Sequence, residues 1–375
     1  MKYNARLVGH NLLAWLLCVV LLGLSACVQV GEEGPARPAK KLVYPEPPDE
    51  PRFAYERTIQ GSADVEDAPD RITGMLMGEE GRSSRGFRKP YGVAVHRGRV
   101  FVSDTANREV HVLDIPEGRD FSIGRDPELT AEQRIAKPIG ISTDDVGTLY
   151  VADASTKFIH VFSRDGKFLR KFGGEDMFDR LTSVTVDKKG ERAYVVDIGG
   201  SQSMNHRVRV FDAQTGKHLF DFGKRGSGPG ELNLPRDVAI GKDNKLFVVD
   251  GGNFRIQVFD TNGNFIKSFG QVGKQLGNFA RPKEAATDKD GNLYVIDAAF
   301  GNFQIFNPEG ELLMFVGERS EQRGPGHFNL PSGIEVDEDG RIYVVDQVFQ
   351  KVDVFRPIGL DANSGFLTRK KIEKK

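Results

Sequence analysis

Apolar residues along this chain fall into short runs, and six of those runs share one ending. An aromatic-led apolar segment closes on aspartate at FVSD (Asp104), YVAD (Asp153), YVVD (Asp197), FVVD (Asp250), YVID (Asp297) and YVVD (Asp346). Successive aspartates lie 49, 44, 53, 47 and 49 residues apart. A unit that recurs at such a period cannot bury its faces alone and must stack on its neighbours. Within each unit the pattern predicts four short strands, clearest as RDVAI (236–240), LFVVD (246–250), RIQVFD (255–260) and NFIKSFG (264–270). The second strand is a continuous apolar run, as expected when both faces are covered. The third alternates, with Val208 and Val210 set against Arg207 and Arg209. The connections DKDG (288–291), DEDG (337–340), TNG (261–263), PEG (308–310) and RDG (164–166) supply Gly, Asn and Asp for the positive-φ positions of hairpin turns. No segment carries sustained helical periodicity. Four-stranded meanders repeated radially predict an all-β propeller.

The units resemble NHL repeats. A leading proline opens the first strand at Pro90, Pro138, Pro235, Pro282 and Pro331, with Leu181 in its place in the third unit. An Asn-x-Arg-like turn precedes the third strand, clearest as Asn205-His206-Arg207 and Asn253-Phe254-Arg255. The resemblance spans about residues 87–356 and implies a six-bladed β-propeller of four-stranded antiparallel blades. The sixth unit stops after VDVFR (352–356) without an outer strand, and an unpaired edge invites aggregation. RFAYERTIQG (52–61) reads as the missing strand, so the ring is expected to be closed from the N-terminus, with the propeller over 52–360.

Ahead of it, Lys2 and Arg6 precede an apolar run from Leu12 to Leu24, the layout of a secretory signal over 1–26. Leu24-Ser25-Ala26-Cys27 resembles a bacterial lipobox, which implies lipidation of Cys27 and a membrane contact through that lipid. The run is too short to span a bilayer. Cleavage would take the formal net charge from −1 to −3, which argues against a nucleic-acid surface; the RNA-binding role of some eukaryotic NHL proteins is therefore not expected. Cys18 leaves with the signal and Cys27 is committed to lipid, so no internal disulfide is expected. Val28 lacks the aspartate that retains such lipoproteins in the inner membrane, which implies outer-membrane sorting in a diderm organism. Residues 27–51, rich in proline and mixed charge, read as a tether, and 361–375 as a basic solubilising tail.

In an antiparallel meander the loop before strand one and the loop between strands two and three emerge on one face. This gathers the pairs Tyr91-Gly92, Ile139-Gly140, Thr182-Ser183, Arg236-Asp237, Lys283-Glu284 and Ser332-Gly333 near the channel mouth. The second set of loops adds Arg108, Asn205, His206, Phe254, Arg255 and Lys351. Arg and Phe in such number suit an interaction face. The six strand-ending aspartates read as turn caps, and His111 and His160, at matching positions of third strands, as interblade packing.

Two enzymatic alternatives follow from similar propellers. Zinc lyases acting on peptidylglycine derivatives need several imidazoles at the channel, and the first strands offer only His96. Calcium lactonases need six or more oxygen ligands; Asp237 and Glu284 would contribute, but the matching positions elsewhere are Gly or Ser. No phosphate loop, haem motif, GxSxG or HExxH is present. The sequence thus points to a lipid-anchored, envelope-facing, monomeric propeller that binds protein partners without a cofactor. A Ca- or Zn-dependent lactonase- or lyase-like enzyme, or a small-ligand or glycan site at the channel, is the alternative.

Overall fold

A computed structural model describes residues 42–65, 85–200, 202–362 and 364–369. The signal, the lipobox cysteine and the first part of the tether lie outside these residues. Five four-stranded antiparallel sheets follow one another along the chain, with innermost strands Pro90–His96, Pro138–Thr143, Leu181–Val186, Pro235–Ile240 and Pro282–Thr287. They are blades 1 to 5. Blade 6 combines Pro331–Val336, Ile342–Asp346 and Lys351–Pro357 with Phe53–Ile59 as its outer strand. The expected N-terminal closure is therefore present, and six blades complete the ring. Between blades 6 and 1, the Ser332 Oγ donates to the Tyr91 carbonyl at 2.7 Å.

The alternation read from the sequence explains the packing. Second strands such as Leu149–Asp153 and Ile342–Asp346 are buried at every position, because each blade is covered on both sides by its neighbours. Outer strands alternate, as in His218–Phe222 and Phe265–Phe269, because one face meets solvent. The apolar clusters lie between blades: Tyr194, Val196, Val208 and Val210 of blade 3 pack on Val238, Leu246 and Val248 of blade 4.

Two features were not legible in the sequence. Val43–Tyr44, within the stretch read as a tether, pairs with Phe53 and Ala54 as a fifth strand of blade 6. The stretch read as a solubilising tail sends Leu367, fully buried, into the cluster that also holds Val65, Phe87 and Ile115. Arg341, also fully buried, secures both ends of the chain. Its Nε donates to Glu56 Oε2 of the closing strand at 2.9 Å, and its second terminal nitrogen donates to the Ser364 carbonyl at 3.0 Å. Replacing Arg341 with alanine takes the closer cation from the buried Glu56 carboxylate, leaving it only Arg57 at 3.4 Å, and a loss of about 3 kcal/mol in unfolding free energy is expected by denaturant titration.

Candidate functional site

Every innermost strand begins the same way. The leading residue stands opposite the strand-ending aspartate, as Pro90 on Asp104, Leu181 on Asp197 and Pro282 on Asp297, and the register then slips. The bulge follows Leu181 as it follows the prolines, so it belongs to the position, which tolerates a residue without an N–H, and it redirects the next side chains. Each aspartate is fully buried. Asp104, Asp153, Asp297 and Asp346 accept backbone N–H groups from two directions, the turn after them and the loop that enters their own blade. For Asp297 the donors are Ala280 at 2.7 Å, Arg281 at 3.0 Å, Ala299 at 2.9 Å and Phe300 at 3.2 Å. Asp197 is held similarly by Arg180 and Gly199. Asp250 takes Asn233 from the loop but fills its second oxygen with the side chains of Asn253, Arg255 and Gln257. These residues hold the upper face, which carries the lead-in loops and the turns between second and third strands.

One step past the bulge, the inner strands touch around the channel. A Cβ on Gly140 would stand 2.8 Å from the Ser183 Cα, and one on Gly333 would stand 2.5 Å from the Tyr91 carbonyl oxygen. Blades 4 and 5 put Asp237 and Glu284 at this level instead. Asp237 accepts from the Ser183 hydroxyl and from the Ala285 N–H at 2.9 Å, so it links blades 3, 4 and 5. Burial pushes its carboxyl up to about 6. Burial, with Asp237 alongside, raises Glu284 well above the ordinary carboxylate range.

This layer separates two spaces. Above it is a pit of about 70 Å³ lined by Tyr91, Thr182, Arg236, Arg281, Lys283 and Ser332. Below it the channel widens to a cavity of about 730 Å³, with Thr143, Thr185, Thr287 and Glu335 on its wall and Asp144, Asp187, Asp288 and Asp337 toward its lower rim. Burial pushes the Glu335 carboxyl up to about 8. The folded protein therefore retains a proton on Glu335 that the unfolded chain releases near its ordinary value of 4.5. The contribution of Glu335 to stability falls as pH rises from about 4.5 to about 8, opposed in the lower part of that range by His96, His160 and His206, whose burial favours the neutral ring. Glu335→Gln is expected to flatten this dependence and to be more stable than wild type above pH 8, as read from unfolding midpoints across the range. A Glu335→Gln profile parallel to that of wild type across the window would refute it. Among the described residues, no three His, Cys, Asp or Glu side chains come together as a metal-holding group.

The structure divides the residues that sequence reasoning assigned to the upper face. Arg236, Lys283, Asp237 and Glu284 meet at the pit. No ion pair within 4 Å joins the basic to the acidic members, although the charge of Glu284 favours the protonated form of Lys283. Lys351 is instead buried, its Nζ 2.5 Å from Asp353 and 2.6 Å from the Gly324 carbonyl. Arg255 is spent on Asp250 and on the carbonyls of Gly228 and Glu231. His206 is buried, accepting the Leu234 N–H at Nδ1. Asn205 bonds to Asp179, Phe254 is half-buried at φ 56°, and Arg108 is exposed on its turn. Sequence reasoning missed the residue before the leading position. It is Lys89, Lys137, Arg180 and Arg281 in four of the six units, a repeated basic position that the period alone would have exposed.

The family model of the NHL repeat matches residues 232–259, which run from the lead-in loop of blade 4 through its third strand. The chain is 33% identical over 116 residues to a probable peptidyl-alpha-hydroxyglycine alpha-amidating lyase, pgal-1, of Caenorhabditis elegans, covering 30% of this chain and 31% of that protein. It is 35% identical over 153 residues to the protein brain tumor of Drosophila melanogaster, covering 39% of this chain and 13% of that one. The chain thus spans less than a third of either relative. A gluconolactonase from Xanthomonas campestris superposes with a TM-score of 0.53 at 14% identity, over 81% of this chain and 98% of that structure. At that identity the likeness is one of fold.

Proposed function

We propose that this protein is a non-catalytic binding platform of the cell envelope, held to a membrane by lipid on Cys27, whose upper face receives a protein partner. The observation that carries this reading is the state of the basic side chains around the pit. Arg236, Arg281 and Lys283 line it without a side-chain hydrogen bond or ion pair among the described residues, whereas the basic groups farther into the blades are consumed internally. A stiff ring that spends its inner charges on itself and leaves those around this pit unspent has them available to a ligand from outside. Crosslinking in native membranes tests it. A stoichiometric protein partner is expected with wild type and lost with Arg236→Glu/Arg281→Glu/Lys283→Glu. No partner, or full retention by the variant, would sink the reading. The anchor has its own test: Cys27→Ser is expected to move the protein from the membrane to the soluble fraction.

A second reading rests on the lower cavity. Its volume suits a small molecule, and Glu335, protonated near neutrality, stands on its wall. The partial sequence likeness to a probable lyase supports a channel-centred enzyme there. Stoichiometric Ca or Zn in the purified protein, or turnover abolished by Glu335→Gln, would move the conclusion to it.

A further inference from the structure

We propose that the pit and the basic arc around it recognise an acidic segment of the partner protein, with one carboxylate seated in the pit and its neighbours on the arc. This rests on the platform reading and adds the partner's chemistry. The arc runs across five blades. Lys89, Lys137, Arg180 and Arg281 precede the leading residues of blades 1, 2, 3 and 5, and Arg236 and Lys283 follow those of blades 4 and 5. The backbone N–H groups of Lys89, Lys137, Arg180 and Arg281 are clamped by Asp104, Asp153, Asp197 and Asp297, so these stems rise from fixed points. None of the six side chains makes a hydrogen bond or an ion pair among the described residues.

These cations also bear on one another. Desolvation at the mouth and the like charges of Arg180 and Arg281 lower Arg236, and burial beside Arg281 lowers Lys283 to about 8. Glu284 and Asp346 act on Lys283 in the opposite sense without reversing the shift, so the cluster gains when a further anion arrives. Of the negative groups beneath, Glu284 is held toward its protonated form by burial, and Asp237, pushed up to about 6, directs its oxygens to the Ser183 hydroxyl and the Ala285 N–H. Shape then selects among anions. A pit of about 70 Å³ admits one carboxylate-sized group with the Tyr91 ring at its side, and the remaining cations are spread along an arc. Discrete carboxylates on a flexible segment fit that spacing. A planar lipid surface would leave the pit unfilled.

The test uses the full-length protein in detergent and four probes: an oligo-glutamate peptide, its oligo-glutamine counterpart, single-stranded RNA and anionic phosphatidylglycerol vesicles. Saturable binding of the oligo-glutamate alone is expected, weakening steeply with added salt. Arg236→Gln/Arg281→Gln/Lys283→Gln is expected to weaken it by about tenfold or more. Lys188→Gln/Lys189→Gln removes charge at the lower rim and should leave it unchanged. Unfolding midpoints of both variants establish that each is folded. Equal binding of oligo-glutamine, tighter binding of RNA or vesicles, or equal loss in the lower-rim variant would overturn the proposal. If the crosslinked partner is lost in the charge-reversal variant while oligo-glutamate fails to bind, the acidic-segment assignment falls and the platform stands. If both fail, the platform falls with it.

Discussion

A chain that begins at residue 62 is expected to lose the closed ring and to aggregate, and a peptide of residues 42–61 supplied during refolding is expected to restore a monomer. Phe53–Ile59 pairs with residues 352–357 of the strand Lys351–Pro357, so its removal strips the ladder partner from the outermost remaining strand of blade 6. Val352, Val354 and Phe355, all fully buried, would then lie beside an open edge. Two polar ties go as well. Thr58 donates to Asp353 at 2.5 Å, and Glu56 is the carboxylate on which buried Arg341 depends. Apolar cover from Tyr44, Phe53 and Tyr55 is lost from the cluster that includes Phe303 and Phe355. Whole domains are stable by roughly 5–15 kcal/mol, and these losses together are comparable to that. Size-exclusion chromatography with and without the peptide decides it. A truncated chain that elutes as a monomer with a wild-type unfolding midpoint would show that the ring does not depend on this strand.

This closure was legible because a meander counts its own strands: five units carry an outer strand, the sixth does not, and an alternating segment stands ahead of the first. The fifth strand at Val43–Tyr44 was not legible, since two residues in a proline-rich stretch carry no period. Among the candidate residues, the legible ones are those fixed by register. Arg236 and Lys283 follow a leading proline, and the bulge after it sets them at the mouth. Lys351 was misleading as a loop cation, although its spacing from Asp353 is a signal, because residues two apart on a strand share a face. Arg255 could not have been placed from its own unit. Its partners Gly228 and Glu231 sit in a connecting loop about 25 residues upstream whose path no local pattern predicts. Glu335 escaped for a related reason, since position on an inner strand indicates the channel but not how much water reaches it.

Asp297→Ala is expected to cost about 3–5 kcal/mol, as for the other strand-ending aspartates that hold four backbone N–H groups. The carboxylate accepts four backbone N–H groups, two from the lead-in loop and two from the turn, and itself has no exposure to solvent. Truncation leaves these donors without acceptors, at about 1–3 kcal/mol each before any relaxation or entry of water. Asp297→Asn keeps one carbonyl oxygen but turns an NH₂ donor toward N–H groups, so an intermediate loss is expected and alanine should remain the worse substitution. The consequence reaches the binding face, because the clamped N–H of Arg281 fixes one stem of the basic arc. In the alanine variant the apparent affinity for the acidic probe should therefore fall even under conditions where the protein remains folded, whereas Asp104→Ala, at the far end of the arc, should destabilise comparably with a smaller effect on binding. Guanidinium midpoints at unchanged slope, measured alongside probe titrations, separate the two contributions. An Asp297→Ala midpoint equal to wild type would mean that these hydrogen bonds do not hold the loop. A lowered midpoint with unchanged binding would mean that the position of Arg281 does not matter to the ligand.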